Sequence, residues 1–256
     1  MRGVAVVAAA LGIAAGGPAR ADESKLDKDG IEVDRRSELR GKNKLCCGYP
    51  LAETQGFKYT YYWMADEDRH DNTERWGHIP DFVHDRQDLG LANDLVDIYT
   101  RDGTPLGSHT ESFVMELRME GSGWLADGRV VNYAGRCRYG TGICFEVLDP
   151  HTHPYGRGAY DRPLVPFRSV AVDRRLIPIG ETIYVPEFDG MRLPDGSYHD
   201  GCLRADDTGG AIRKRLIDFF VVELENFMWV NEQMWFDRYF TPHVEDPRCD
   251  YLRDPR

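Results

Sequence analysis

The chain has 256 residues, of which 41% are hydrophobic and 29% charged, and its formal net charge is −11 at pH 7. A surface this acidic repels nucleic-acid phosphates and anionic lipid, so neither is expected as a partner. The length is enough for one large domain or two small ones, with apolar residues to fill a core.

At the N-terminus, Arg2 precedes an apolar run from Val4 to Ala15, and Ala19-Arg20-Ala21 has the small-x-small form of a cleavage site. Residues 1–21 therefore read as a secretory signal, with a run too short to span a bilayer comfortably. No cysteine follows it to carry a lipid, and no later segment is apolar enough to cross a membrane. The expected product starts near Asp22, has no membrane anchor, and works as a monomer in the periplasm or cell envelope. Cys46, Cys47, Cys137, Cys144, Cys202 and Cys249 all follow the signal, and an even count in an oxidising compartment favours disulfides. Cys137 and Cys144 flank a short Gly-rich loop that a bond between them would close. The adjacent Cys46 and Cys47 are expected to reach two different partners rather than each other. None of the spacings is that of a zinc ribbon or finger.

Residues 22–50 are polar and without period, a loosely ordered lead-in. In "GFKYTYYWMADE", Phe57, Tyr59, Tyr61 and Trp63 alternate with Lys58, Thr60 and Tyr62, which predicts a strand with one buried face. "RDGT" (101–104) and Asp127-Gly128 are hairpin-turn signals. "ESFVMELRMEGSGWLADGRVVNYAG", which contains the second, reads as strand, turn, strand. "RSVAVDRRLIPIGETIYVP" predicts a strand ending at Asp173, a turn at Pro178-Ile179-Gly180, and a strand from Thr182 to Val185. "MRLPDGSYHDG" reads as a surface loop, "CLRA" as a strand delivering Asp206 and Asp207, and "LIDFFVVEL" as a strand with Asp218 near its start. The Met and aromatic spacing of "MWVNEQMWFDRYF" predicts a packing helix. Many short strands joined by Gly/Asp turns point to a closed or nearly closed β-barrel spanning 51–240, with a tail over 241–256.

"SVAVDRRLIPIGETIYVP" followed by "ADDTGGAIRKRLIDFF" resembles the three-aspartate (3D) domain, shared with the C-terminal part of membrane-bound lytic transglycosylase A and related bacterial cell-wall enzymes. The family pattern has an Asp after "VAV", a D-x-G-G-A-I turn, and an Asp eleven residues after the first Asp of that turn. Asp173, Asp207 and Asp218 fill these positions. The resemblance covers about 164–222, and "TYYWMADE" and "EGSGWLADGRVVNY" look like companion strands of secreted relatives. It implies a double-psi β-barrel of the barwin/endoglucanase-like kind, with extra N-terminal strands and a C-terminal packing helix. The aspartates would lie in an open groove, with Asp218 as catalytic acid. The chain departs from the family at "AIRK", where Lys214 replaces a Gly. If that Gly held a positive φ, the turn must be rebuilt. The "MRLPDGSYHDG" insert lengthens the path to Asp207 and is placed to cap or narrow the groove.

The residues themselves suggest the same chemistry. Glycosidic cleavage requires a carboxyl that stays protonated near neutral pH. Asp218 sits between Ile217 and Phe219-Phe220, where burial raises its pKa, and a nearby Asp207 or Asp173 raises it further by like-charge repulsion. The candidate catalytic residues are thus Asp218, Asp207 and Asp173, with Thr208, Gly209, Gly210 and Arg213 as candidate substrate contacts and the glycan strands of peptidoglycan as the partner. The implied reaction is lytic transglycosylation, which needs neither metal nor organic cofactor. An inverting glycoside hydrolase and a non-catalytic, expansin-like wall-binding module are the alternatives. Structural roles stand beside these: Asp207 as an Asx cap of the turn, Asp206 facing solvent, Asp173 as a strand-end ion pair with the arginines after it, and Arg213-Lys214-Arg215 as a solvated charge run. His151 and His153 lack a third metal ligand, His199-Asp200 reads as part of an exposed loop, and Trp124 reads as core.

Overall fold

The computed structural model describes residues 49–50, 56–70, 94–234 and 239–253. The signal-like segment, the lead-in up to residue 48, and Cys46 and Cys47 lie outside the described residues. Among those described, no helix is long and apolar enough to cross a membrane.

Among the described residues the fold is mainly β, with thirteen strands in two mixed sheets. The larger sheet contains β1 (Tyr49–Pro50), β2 (Lys58–Trp63), β9 (Ser169–Ala171), β10 (Thr182–Arg192), β11 (Tyr198–Asp207), β12 (Leu216–Val222) and β13 (His243–Val244) in the order β1-β13-β10-β11-β9-β12-β2. Among the described residues this sheet does not close into a single barrel. Its two ends are nevertheless drawn together, because Phe57 beside β2 and Phe240 ahead of β13 exchange two backbone hydrogen bonds (2.8 and 3.0 Å). One face of β9, β10, β11 and β12 packs Val170, Ile183, Leu203, Phe219 and Val221 into a core with Phe188. Each fully buried side chain of this size contributes roughly 1.5–3 kcal/mol.

The second sheet contains β3 (Ala65–Asp66), β4 (Leu95–Tyr99), β5 (Pro105–Thr110), β6 (Ser122–Trp124), β7 (Val130–Arg136) and β8 (Ile143–Leu148), ordered β3-β6-β7-β8-β4-β5. The hairpins at 101–104 and at Asp127-Gly128 form as expected, joining β4 to β5 and β6 to β7. The segment read as a strand at 111–120 is instead helix α1 (Glu111–Glu120). Thr110 caps its N-terminus by accepting from the Phe113 N–H, Gly121 ends it at φ 87°, and Phe113, Val114 and Leu117 form its buried stripe. The two sheets are tied where the Trp63 indole N–H donates to Glu116 of α1 (2.9 Å).

Two more expectations change. The segment read as a surface loop extends β10 and β11 as a hairpin turning at Leu193–Ser197. Its Arg192 carbonyl accepts from Trp229 and Gln233 of helix α2 (Leu224–Met234). The turn lies at the start of β11 and Asp207 at its end, about 30 Å away along an extended strand, so the insert does not cap the aspartates. The packing helix forms, beginning earlier than its aromatic spacing suggested. The described cysteines pair as Cys137–Cys144 and Cys202–Cys249, with Cα separations of 5.7 and 5.3 Å. The second bond fixes the turn at Pro247–Leu252 against β11.

Candidate functional site

The site is built around the short strand β9. On one side Ala171 is in register with Asp207 of β11, and on the other with Asp218 of β12. Residues in register share a face, and strands lie about 4.8 Å apart, so the two aspartates present side chains to one face from Cα positions roughly 10 Å apart. A β-bulge makes this possible. β11 pairs Ala205 with Val170 and then Asp207 with Ala171, leaving Asp206 as an extra residue. Strict alternation would have put Asp207 on the face of Ala205, which is buried in the large core. The extra residue turns it to the face of Asp218 instead.

Asp206 therefore does not face solvent. It is fully buried and pairs with Arg204 (2.6 Å) and Arg162 (3.4 Å), while the Ser169 hydroxyl donates to its other oxygen (2.6 Å). Alternation placed Asp206 and Asp207 on opposite faces, but the face given to Asp206 is covered by the chain around Arg162. A Cβ added to Gly158 there would lie 2.4 Å from the Asp206 carbonyl oxygen.

Asp218 accepts a hydrogen bond from the Thr60 hydroxyl (2.7 Å) on the neighbouring strand β2. Burial pushes its carboxyl up to about 6, and the Thr60 bond works against that rise. Asp207 is pushed up to about 7, first by burial and then by the charges of Asp218 and Asp206. The backbone N–H groups of Thr208 (2.7 Å) and Ala159 favour its ionised form. Tyr62, in register with Phe220, is buried beside both aspartates, and its hydroxyl has no hydrogen-bond partner among the described residues. Burial, followed by the charges of Asp207 and Asp218, drives the phenol pKa well above its ordinary value.

Asp173 is different. It follows β9 and is buried, and its carboxylate is gripped by the Arg175 guanidinium (2.7 Å) and by the N–H groups of Arg175 (3.1 Å) and Lys214 (2.8 Å). The Arg175 side chain leads in holding its pKa down to about 2, so it remains an anion. The strand-end ion pair thus forms, and it also ties the end of β9 to the turn between β11 and β12. Lys214 adopts the left-handed conformation itself, with φ 60°, so the turn is not rebuilt around the replaced Gly.

The candidate contacts gather on that turn. Thr208 and Gly210 are exposed, and Gly209 is so close to Ile212 that a Cβ would meet Ile212 Cγ1 at 2.5 Å. The Arg213 side chain donates to the Gly209 and Ile212 carbonyls (2.8 Å each), bracing the turn. His199 is a buried residue of β11, not part of an exposed loop. Its Nε2–H donates to the Phe167 carbonyl (2.7 Å), its Nδ1 accepts from the Gly201 N–H (2.9 Å), and burial lowers its pKa to about 4. Trp124 is half-buried against Tyr155 and donates to the Pro154 carbonyl. Among the described residues no group of three or more His, Cys, Asp or Glu side chains is placed to hold a metal ion. Thr60 and Tyr62 escaped the sequence reading. Both lie on the face of β2 that alternation left as polar, and only the parallel pairing of β2 with β12 brings that face to Asp218.

Several solved structures are similar to this chain. One is Escherichia coli MltA with bound chitohexaose (15% identity, 74% of this chain and 71% of that one, TM-score 0.45). The second is a membrane-bound lytic murein transglycosylase from Agrobacterium tumefaciens (16%, 56% and 52%, TM-score 0.40), of which this chain spans about half. The third is the lytic transglycosylase LtgG of Burkholderia pseudomallei (17%, 78% and 71%, TM-score 0.33). No curated protein matches the sequence. Residues 168–226 match the family model of the 3D domain, and Asp173, Asp207 and Asp218 all lie within that match.

Proposed function

We propose that the protein is an exported lytic transglycosylase that cleaves peptidoglycan glycan strands, with Asp218 as its acid and base. The observation that carries this reading is the placement of Asp207 and Asp218 on one face across β9, where burial raises both carboxyl pKa values. Near neutral pH such a pair retains a proton for the leaving oxygen. Asp218 is assigned the acid role on its place in the three-aspartate pattern, and its carboxyl keeps a proton below about 6, where Asp207, at about 7, is protonated as well. Protonated Asp218 gives its proton to the glycosidic oxygen as the C1–O bond breaks. The resulting carboxylate takes the proton of the muramoyl 6-hydroxyl as O6 bonds to C1, which closes the 1,6-anhydro ring and restores the acid. In this reading β2, β9, β10, β11 and β12 are the strands of an open, double-psi-type barrel within a unit spanning 51–240. Residues 241–253 of the 241–256 tail are fastened to it through β13 and Cys249.

An inverting hydrolase is the second reading. It is favoured by the placement of Asp207 and Asp218 on one face two strands apart, because an inverting enzyme needs a second carboxyl ~6.5–9.5 Å from the acid to activate water. Mass spectrometry of the fragments released from peptidoglycan separates the two. Anhydro-ended fragments that disappear with Asp218→Asn support transglycosylation, and reducing ends mean hydrolysis. If neither protein releases fragments from intact or peptide-stripped strands, both enzymatic readings fall and a glycan-binding role takes their place.

A further inference from the structure

Tyr160 is held out into solvent at the Asp207 end of β11 by an unusually constrained turn. The residue is 73% exposed. Tyr160 and Asp161 both take left-handed backbone conformations, with φ 57° and 62°, which is costly for side chains of this size. Neighbouring groups hold the turn in place. His153 Nε2 bonds the Asp161 carbonyl (3.3 Å), Arg157 pairs with the Asp161 carboxylate (3.3 Å), and the Gly158 N–H donates to the Arg162 carbonyl (2.8 Å).

Three links then fix this turn onto the site. Gly158 lies against the Asp206 backbone, the Ala159 N–H donates to Asp207, and Arg162 pairs with Asp206. Across the site, the Arg174 guanidinium, next in sequence to Asp173, donates to the Tyr160 hydroxyl (3.4 Å). The ring therefore stands beside the aspartates, and burial in the core does not explain why it is there. Backbone strain that the surroundings enforce is a recurring feature of ligand clamps. An exposed aromatic face fixed beside a carboxyl pair suits the apolar C–H face of a sugar ring.

We infer that Tyr160 is a specificity-determining residue of the candidate site, the stacking surface for one sugar of the bound glycan, steadied by Arg174. The inference rests on the glycan-cleaving reading above. The test uses Asp218→Asn as a non-cleaving background and calorimetric binding of chitohexaose as the probe. Tyr160→Gly removes the ring while keeping the backbone conformation at φ 57° without strain, and Tyr160→Phe keeps the ring. The expected result is affinity about tenfold weaker with Gly and nearly unchanged with Phe. In the active protein, Tyr160→Gly should raise KM on peptide-stripped glycan strands more than it lowers kcat. Thermal unfolding of Tyr160→Gly at or above the parent temperature excludes misfolding as the cause.

Equal affinity in the Gly variant overturns the stacking role while leaving the cleavage reading intact. A Phe variant as weak as Gly overturns it too, shifting the contact to the hydroxyl and Arg174. A parent protein that neither binds chitohexaose nor releases fragments defeats both the cleavage reading and this inference.

Discussion

Asp207 and Asp218 are in register with the same residue, Ala171, from opposite sides of β9. The bulge at Asp206 gives them a common face, where the Asp218 charge makes Asp207 harder to ionise. Removing the Asp218 charge should therefore ease ionisation of Asp207. If Asp218 supplies the proton, kcat/KM on glycan strands falls as pH rises through about 6–7, where the acid form is lost. In Asp218→Asn the Asp207 carboxyl should instead ionise at lower pH than in the parent, because it no longer faces the Asp218 charge. A pH–rate profile of the parent checks the first expectation and an NMR titration of Asp207 in both proteins the second, and an unmoved Asp207 titration would show that Asp218 does not act on it electrostatically.

The same carboxyls make stability depend on pH. Asp207 and Asp218 titrate at about 7 and about 6 in the folded protein, against an ordinary 3.8. Between those limits the folded state binds more protons than the unfolded one, so their contribution to stability rises as pH falls from about 7 toward 4. The double variant Asp207→Asn/Asp218→Asn should be more stable than the parent at pH 8 by a few kcal/mol, at about 1.4 kcal/mol per pKa unit and less after relaxation. That advantage should shrink toward zero near pH 4, where the parent carboxyls are neutral. His199 acts in the opposite sense. With its pKa lowered from 6.5 to about 4, it loses stability as pH falls through that window, and the double variant should retain this acid sensitivity. Urea unfolding at a series of pH values tests both trends.

Much of this site was legible in the sequence, for identifiable reasons. The spacing of Asp173, Asp207 and Asp218 and the apolar neighbours of Asp218 are local features, and their positions at strand ends followed from alternation and turn residues. The position of Asp206 was not legible, because alternation assumes a regular strand and a bulge cannot be read from "RADDTGG". Thr60 and Tyr62 were missed because a parallel pairing joins residues more than 150 positions apart (Thr60 to Asp218). Helix α1 was missed despite a Thr cap and a terminal Gly, because hairpin signals on both sides made the segment read as one more strand.

Lys214 carries a backbone cost that the family's glycine would not. At φ 60° a residue with a Cβ is strained by about 1 kcal/mol, partly offset in a glycine variant by the larger entropy of its unfolded chain. Lys214→Gly should raise the unfolding temperature by a degree or two, and Lys214→Ala, with its Cβ retained, should not. The N–H to Asp173 (2.8 Å) survives both changes. Lys214→Pro removes that donor and the left-handed φ together, and should lower stability by several times the glycine gain. Calorimetry on the three variants orders them, and a glycine variant no more stable than alanine would mean that the left-handed backbone costs little at this position.

The two disulfides should also be unequal. A bond stabilises by restricting the unfolded chain, and the restriction grows with the loop it closes. Cys202–Cys249 spans a sequence separation of 47 and Cys137–Cys144 one of 7. On chain entropy the first contributes about 4 kcal/mol and the second about 2 kcal/mol. The longer loop also fastens the turn that holds Asp200, whose carboxylate accepts from the Tyr251 hydroxyl (2.6 Å), across the start of β11. The paired replacement Cys202→Ala/Cys249→Ala should therefore lower stability more than Cys137→Ala/Cys144→Ala, and it should loosen residues 243–252 first. Hydrogen exchange alongside denaturant unfolding reads both effects. Equal losses from the two pairs would place the stabilisation in local packing around the sulfurs and not in the closed loop.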